Sequence, residues 1–321
     1  MKKQITFSIL ILFIVLVWSG CEKEKPAVST ADTGITVTAA TFPGFDFARV
    51  IAGDRINLTM LLPPGAESHS YEPTPQDIIK IQNSDVFIYT GGESDYWLGE
   101  IIGSVDNGSM RILSLMDMVD VVEEEIVEGM EDEEEEDSFP EEPVSPEYDE
   151  HVWTSPRNVK RIIGAIAACL EEADPVNAGL YRENAAAYLV KLDELDAAFR
   201  GVVDQGRRKT IVFGDRFPFR YFADAYGLSY YAAFPGCSTE TEPSAATVAF
   251  LINKIRAEKI PVVFHIELSN ERMADTIGEA TGAKKLLLHA GHNISKKDFE
   301  AGLSYLDLMK GNVLNLKEAL Q

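Results

Sequence analysis

The amino-acid sequence predicts an α/β fold of two lobes, each a mostly parallel sheet flanked by helices. Short β-branched runs alternate with amphipathic helical segments, which is typical of parallel sheets with helices on both faces. The alternation occurs before, and again after, one long helical pattern that begins near residue 177. With 321 residues, 45% of them hydrophobic, the chain is long enough for two domains.

Residues 1–20 have the pattern of a signal peptide. Two lysines precede an apolar stretch, Ile5 to Trp18, which is too short for a comfortable membrane span. Ser19-Gly20-Cys21 follows and resembles a bacterial lipobox, so Cys21 is the predicted lipid anchor. The polar residues 21–33 indicate a flexible lipidated tether. A signal anchor that keeps residues 1–20 is the alternative, and in both cases we expect an exported protein held at a membrane face.

Residues 34–176 are predicted to form the first lobe. Thr74-Pro75-Gln76-Asp77 predicts a helix start, because threonine can cap the helix and proline suits the first helical position. Ligands bind beyond the carboxyl ends of parallel strands, and His69 follows the second predicted strand in that zone. Strands are predicted at residues 35–40, 56–62, 85–90 and 111–116, and helices at 45–52, from 75, from 96 and from 156.

An acidic, low-complexity segment, residues 123–148, interrupts this lobe. Between Arg111 and Arg157 there are 18 Asp and Glu residues and no Lys or Arg, which accounts for most of the net charge of -23. Such a composition cannot bury enough apolar surface to fold alone, so we predict a disordered insert. Its carboxylates can raise the local concentration of cations. The strongly acidic balance argues against a nucleic-acid partner.

Residues 177–208 are predicted to form a linker helix, and residues 209–321 the second lobe. Apolar residues recur at three- and four-residue spacing from Asn177 to about Gly206, and a helix of that length spans about 45 Å. In the second lobe, strands are predicted at residues 210–213, 230–234, 261–266 and 285–288, and helices at 217–226, 244–258, 272–281 and 299–320.

The five histidines are the best candidates for binding chemistry, because dispersed imidazoles at strand ends can converge on one metal ion. His69 lies in a segment of the form Pro-Gly-x-x-x-His-x-Tyr-Glu-Pro, residues 64–73. His151 lies in Asp149-Glu150-His151-Val152-Trp153-Thr154-Ser155-Pro156. Together these segments resemble the metal-binding motifs of the solute-binding lipoproteins of bacterial zinc and manganese ABC importers. The resemblance covers roughly residues 35–320.

The resemblance implies a single rigid helix between the lobes and a metal site between them, with two ligands from each lobe. His69 and His151 match the ligands of the first lobe. Asp215 stands where relatives have His or Glu, so it is the predicted third ligand. Counting from the last predicted strand gives His289 as the fourth ligand, whereas counting back from the C-terminal helix favours His292. Competing candidates for the third position are Glu267, Glu240, Cys237 and the carboxylates of the acidic insert.

Three imidazoles and one carboxylate form a donor set that favours Zn²⁺ over Mn²⁺. The resemblance therefore implies a monomeric, lipid-anchored binding protein, not an enzyme, on the extracytoplasmic face of the cell membrane. It would deliver Zn²⁺ to the membrane permease of an ABC importer. One alternative is a Mn²⁺-preferring binding protein or adhesin of the same family. Another is a zinc-dependent hydrolase, although the sequence has no His-Glu-x-x-His or Gly-x-Ser-x-Gly motif.

Overall fold

The first sheet of the computed structural model has four parallel strands: β1 (Thr36–Ala39), β2 (Asn57–Met60), β3 (Val86–Tyr89) and β4 (Arg111–Ser114). Their order is β2-β1-β3-β4, and every neighbouring pair is parallel. The structure describes residues 34–67, 71–92, 95, 97–98, 101, 108–130, 147–238 and 243–321. The predicted signal peptide, tether and Cys21 lie outside these residues. Among the described helices, none combines the length and apolar character needed to cross a bilayer.

Helix α1 (Phe42–Ala52) connects β1 to β2, and helix α2 (Pro75–Gln82) lies between β2 and β3 in the chain. The predicted capping of α2 is confirmed, because the Thr74 hydroxyl accepts from the Asp77 N–H and the Asp77 carboxylate accepts from the Thr74 N–H. Burial alone would raise the pKa of Asp77, but hydrogen bonds from Lys80 and Thr74 lower it to about 2. The start of this helix is therefore held by an ionised carboxylate.

The second half of the chain repeats the same strand order. Its strands are β5 (Thr210–Val212), β6 (Ser229–Tyr231), β7 (Val262–His265) and β8 (Lys284–Leu287), and β5–β6 and β7–β8 are parallel pairs. A parallel bridge between Phe213 and Phe264 joins the two pairs, so the four strands lie in the order β6-β5-β7-β8. In sheets of this order, ligands bind at the carboxyl ends of the two central strands, where the connections diverge.

The long predicted helix is confirmed as α4 (Ala178–Gln205), 28 residues in length. It packs against α1 and α3 (Pro156–Ala173) from the first half and against the C-terminal helix from the second half. The predicted two-lobe α/β architecture with parallel sheets is thereby confirmed. The remaining helices are α5 (Arg220–Tyr226), α6 (Ala245–Glu258), α7 (Arg272–Thr281), α8 (Lys296–Glu300) and α9 (Tyr305–Leu320).

Two predicted helices of the second half differ from the structure. The helix predicted at residues 299–320 is divided into α8 and α9, because Gly302 has a φ of +74° and Ser304 begins a new helix. The Ser304 hydroxyl and the Asp307 carboxylate cap α9 reciprocally. The helix predicted from Phe217 begins only at Arg220, because Phe219 has the non-helical backbone angles of an N-cap residue, φ −115° and ψ 26°.

Both ends of the acidic segment predicted to be disordered are structured. Glu123 and Tyr148 form an antiparallel bridge, and the Glu124 N–H donates to the Glu147 carbonyl at 2.9 Å. The Glu124 carboxylate accepts from the Cys237 N–H at 2.8 Å, and Glu125 pairs with Arg220. These acidic side chains are ordered because the second half of the chain supplies their donors. Residues 131–146 of the insert lie outside the described residues.

Candidate metal centre

His151 lies between the acidic segment and α3, at the start of a short 3₁₀ turn, Val152–Thr154. The residue is only 1% exposed. One oxygen of the Asp149 carboxylate accepts from the His151 backbone N–H at 2.8 Å and lies 3.0 Å from His151 Nδ1. A carboxylate at Nδ1 fixes the ring tautomer and orientation, so Nε2 is the nitrogen that can coordinate a metal.

The surroundings of His151 are strongly negative. Burial alone would lower the pKa of His151, but the neighbouring carboxylates, Asp149 first and then Glu150 and Glu124, raise it above its ordinary value. The same carboxylates attract a divalent cation. Gly236 packs closely against Asp149 and His151. A Cβ at this position would lie 3.2 Å from both Asp149 Oδ2 and His151 Cε1. The segment around Gly236 can therefore approach Asp149 and His151 this closely only because glycine has no side chain.

The loop after β8, which contains His289 and His292, is folded around the buried carboxylate of Glu267. That carboxylate accepts from the backbone N–H groups of Ala290 at 2.6 Å, Gly291 at 2.8 Å and His292 at 2.9 Å. Its oxygens also lie 3.4 Å from His289 Nδ1 and 3.5 Å from His292 Nδ1. Glu267 follows β7, and the loop that it holds follows the neighbouring strand β8. A residue at the end of β7 therefore determines the conformation of the loop after β8.

Glu267 remains ionised despite its burial. Desolvation raises the pKa of this carboxyl, but the adjacent His289 and His292 and the backbone hydrogen bonds together bring the pKa well below its ordinary value. The sequence suggested Glu267 only as a competing metal ligand. In the structure its oxygens accept hydrogen bonds from the loop after β8. No local pattern in the sequence predicts this role.

The rings of His151 and His292 meet, although they are far apart in the sequence. Their centroids are 4.5 Å apart and their planes are inclined by 77°. Trp153 lies against both rings, with centroid distances of 5.8 and 5.5 Å, and its indole N–H donates to the Ala290 carbonyl at 2.9 Å. Burial and the nearby His151 lower the pKa of His292, which favours the neutral form that can bind a metal.

A small cavity adjoins the two rings. It is lined by His151, His292, Trp153, Glu150 and Asp95, together with six further residues: Ala40, Thr41, Leu62, Tyr71, Thr90 and Trp97. Its volume of about 30 Å³ exceeds the roughly 10–15 Å³ that one water molecule needs. The cavity can therefore accommodate a single small ion between imidazole and carboxylate groups.

The other predicted ligands are placed differently. His289 Nδ1 accepts from the Gly291 N–H at 3.1 Å and faces Glu267. Asp215, which is 9% exposed, follows β5; its two oxygens accept from the N–H groups of Arg216 at 2.9 Å and Ile266 at 3.2 Å. Asp215 thus connects the ends of β5 and β7 at the edge of the sheet where the ligand zone lies.

The remaining candidates include two that the structure does not describe. His69 and Glu240 lie outside the described residues. Cys237 lies beside the acidic segment, with its N–H bonded to Glu124. His265, the one histidine not considered as a ligand, contacts Glu271 at 3.9 Å and is not part of the cavity lining. Within the described part of the chain, no three His, Cys, Asp or Glu side chains are grouped so that they could hold a metal ion.

Comparison with known proteins identifies the family. The family model of the periplasmic zinc-uptake complex component A, ZnuA, matches residues 37–319. The high-affinity zinc uptake system protein ZnuA of Bacillus subtilis is 30% identical over 98% of this chain and 96% of its own length. The zinc-binding lipoprotein AdcA of Streptococcus pneumoniae is also 30% identical, but the match spans only 59% of that longer protein.

A solved structure agrees with these sequence matches. The Zn(II)-bound ZnuA-like domain of Streptococcus pneumoniae AdcA superposes with a TM-score of 0.73 at 26% identity, covering 89% of this chain and 99% of that domain. The family match extends over nearly all of residues 34–321, including the elements that carry His151 and His292. This chain therefore belongs to the ZnuA family of periplasmic zinc-uptake proteins.

Proposed function

We propose that this protein is an extracytoplasmic receptor that captures Zn²⁺ and delivers it to the permease of an ABC importer. The observation that carries the proposal is the contact between the His151 and His292 rings, 4.5 Å apart, each with its Nδ1 near a buried carboxylate. A carboxylate behind a ligating histidine orients the ring and increases its basicity. The relatives named for zinc uptake and zinc binding support the same cargo.

The proposed ligands are His69, His151, His292 and Asp215. His292 replaces His289 as the preferred imidazole of the second half, because only His292 contacts the His151 ring. His69 follows the described turn at residues 63–67, which contacts the loop around His292. Asp215 supplies the carboxylate, since its oxygens can accept further bonds beyond the two backbone N–H groups. His289 would help to hold the ionised Glu267.

This donor set favours Zn²⁺ as the transported cation. Imidazoles suit Zn²⁺, whereas Mn²⁺ prefers sites dominated by carboxylates. The cavity volume of 30 Å³ suits one ion. A hydrolytic zinc site would need an open coordination position and room for an organic substrate. A binding role is therefore favoured over a zinc-dependent hydrolase.

Two further parts of the proposal concern location and assembly. We propose that Cys21 is lipidated and anchors a monomeric receptor to the membrane, with residues 21–33 as the tether. The lipobox-like Ser19-Gly20-Cys21 and the lipoprotein designation of AdcA support this arrangement. The permease would then receive Zn²⁺ from a receptor that diffuses only along the membrane face.

Metal analysis of the purified protein and a competition titration with a zinc chelator test the proposal. We expect one Zn²⁺ per chain, a large loss of affinity in His151→Ala and His292→Ala, and a smaller loss in His289→Ala. A site that prefers Mn²⁺ in competition, or that keeps wild-type zinc affinity in His151→Ala, would refute the assignment. A loss of zinc affinity in His289→Ala but not in His292→Ala would show that His289 is the ligand and that His292 is not.

A further inference from the structure

The turn that precedes His69 is attached to the loop that follows His292 by one buried amide. Asn293 is 1% exposed, and its Nδ2 donates to the carbonyls of both Pro63 and Ala66, each at 2.8 Å. Its Oδ1 accepts from the Ile294 N–H at 2.9 Å. Both polar atoms of this side chain are therefore hydrogen-bonded, and Nδ2 joins two chain segments that are more than 200 residues apart.

A backbone contact strengthens the same attachment. The Gly65 N–H donates to the Ile294 carbonyl at 2.8 Å, and Gly65 has a φ of +86°, which a residue with a side chain rarely adopts. A part-buried ion pair between Glu67 and Arg216, 3.3 Å in length, lies at the end of the described turn. Residues 63–67 of the first half are thus held by residues 216, 293 and 294 of the second half.

We propose that Asn293 is a positioning residue for the zinc site: its amide holds the His292 loop against the turn at residues 63–67. This inference rests on the proposed function, because it concerns two of the proposed ligands. Asn293 immediately follows His292, and Ala66 precedes His69 by three residues.

The chemistry of the contact requires asparagine at this position. Two carbonyls must be satisfied by one short, buried side chain, and only an amide of this length offers two N–H donors. Serine would supply one donor and aspartate would supply none. If the amide is removed, the two carbonyls lose their buried partner, and the turn can separate from the His292 loop. Zinc binding must then bring the loops together, which weakens the observed affinity.

The test compares Asn293→Ala and Asn293→Ser with the control Asn184→Ala. Asn184 also donates from a part-buried amide to one carbonyl, that of Ile51, at 2.8 Å, but it lies between α4 and α1 and outside the proposed site. Zinc affinity is measured by chelator competition, and backbone hydrogen exchange of residues 62–67 is measured in the metal-free protein. The absorption spectrum of bound Co²⁺ reports the geometry of the ligands.

We expect Asn293→Ala to weaken zinc binding about tenfold, equivalent to about 1.4 kcal/mol, with Asn293→Ser between it and wild type. Exchange at Gly65 should become faster, and the Co²⁺ spectrum should change. Asn184→Ala should lower thermal stability but leave affinity and spectrum within twofold of wild type. A purely structural role for Asn293 would affect stability in both variants and affinity in neither.

Two results overturn the inference and are distinguishable from failure of the proposed function. Wild-type affinity and an unchanged Co²⁺ spectrum in Asn293→Ser and Asn293→Ala would show that Asn293 does not position the ligands. An equal loss of affinity in Asn184→Ala would show that general destabilisation is the cause. If wild-type protein itself binds no zinc, the proposed function fails, and the positioning role fails with it.

Discussion

Substitution of Glu267 by glutamine tests the claim that this buried carboxylate organises the loop that carries His289 and His292. In the wild type, one oxygen accepts from the N–H groups of Gly291 and His292, and the other accepts from the N–H of Ala290 at 2.6 Å. A glutamine can keep the first two bonds only by directing its own NH₂ group at the Ala290 N–H. One hydrogen bond is then lost, and the other two are no longer charge-assisted.

The magnitude follows from these three bonds. A hydrogen bond to a charged group contributes about 1.5–3 kcal/mol and a neutral one about 0.5–1.5, so each retained bond loses about 1 kcal/mol. A buried N–H without an acceptor costs about 1–3 kcal/mol more, and relief of the desolvated charge offsets part of the total. We therefore expect Glu267→Gln to destabilise the metal-free protein by about 3 kcal/mol.

Urea unfolding in the presence of a chelator, at neutral pH, measures this loss directly. Glu271→Gln is the matched control: Glu271 is exposed and paired with Lys285, so its loss should change stability by less than about 0.5 kcal/mol. Zinc affinity should also fall about 10- to 100-fold in Glu267→Gln, because the His292 loop is no longer held. A destabilisation below about 1 kcal/mol with unchanged affinity would refute the organising role.

Four further outcomes are expected. His69→Ala and His151→Ala should each abolish tight zinc binding with little change in far-UV circular dichroism, and wild-type affinity in either variant would rule out that ligand. Cys21→Ser should release the protein from membranes or leave its precursor uncleaved, and mass spectrometry of wild type showing an unmodified N-terminus would contradict lipidation. Deletion of residues 131–146 should slow zinc association at low ionic strength but leave equilibrium affinity within about threefold, and physiological salt, with a Debye length of about 8 Å, should remove the kinetic effect. Asp77→Asn should destabilise by about 1 kcal/mol at pH 7. Because the pKa of Asp77 is lowered to about 2, its contribution is fully present above about pH 4 and is lost as the pH falls through 2. The difference between wild type and variant should therefore be reduced at pH 2 and absent near pH 1. A difference that is unchanged between pH 4 and pH 1 would mean that the carboxylate charge is not responsible.

The sequence by itself determined the features that depend on neighbouring residues. The Thr74 cap with Pro75 gave the start of α2, and the apolar spacing gave the long helix α4. Alternating strands and helices predicted the parallel sheets of both halves. The motif around His151 identified one member of the observed histidine pair, because that segment has a distinctive local pattern. Each of these patterns involves residues that are close together in the chain, so the sequence alone is sufficient to recognise it.

Tertiary structure alone decided which side chains meet. Counting from the last strand favoured His289 and counting back from the C-terminal helix favoured His292, so the sequence left the choice open. The loop conformation depends on Glu267, more than 20 residues earlier, which turns His292 toward His151. The flanks of the acidic segment are ordered for the same reason, since their partners, such as Cys237 and Arg220, belong to the other half of the chain. Hydrogen bonds to a buried carboxylate are strong but leave no periodic or local trace in the sequence. The site therefore became visible only when the ends of β7 and β8 were brought together.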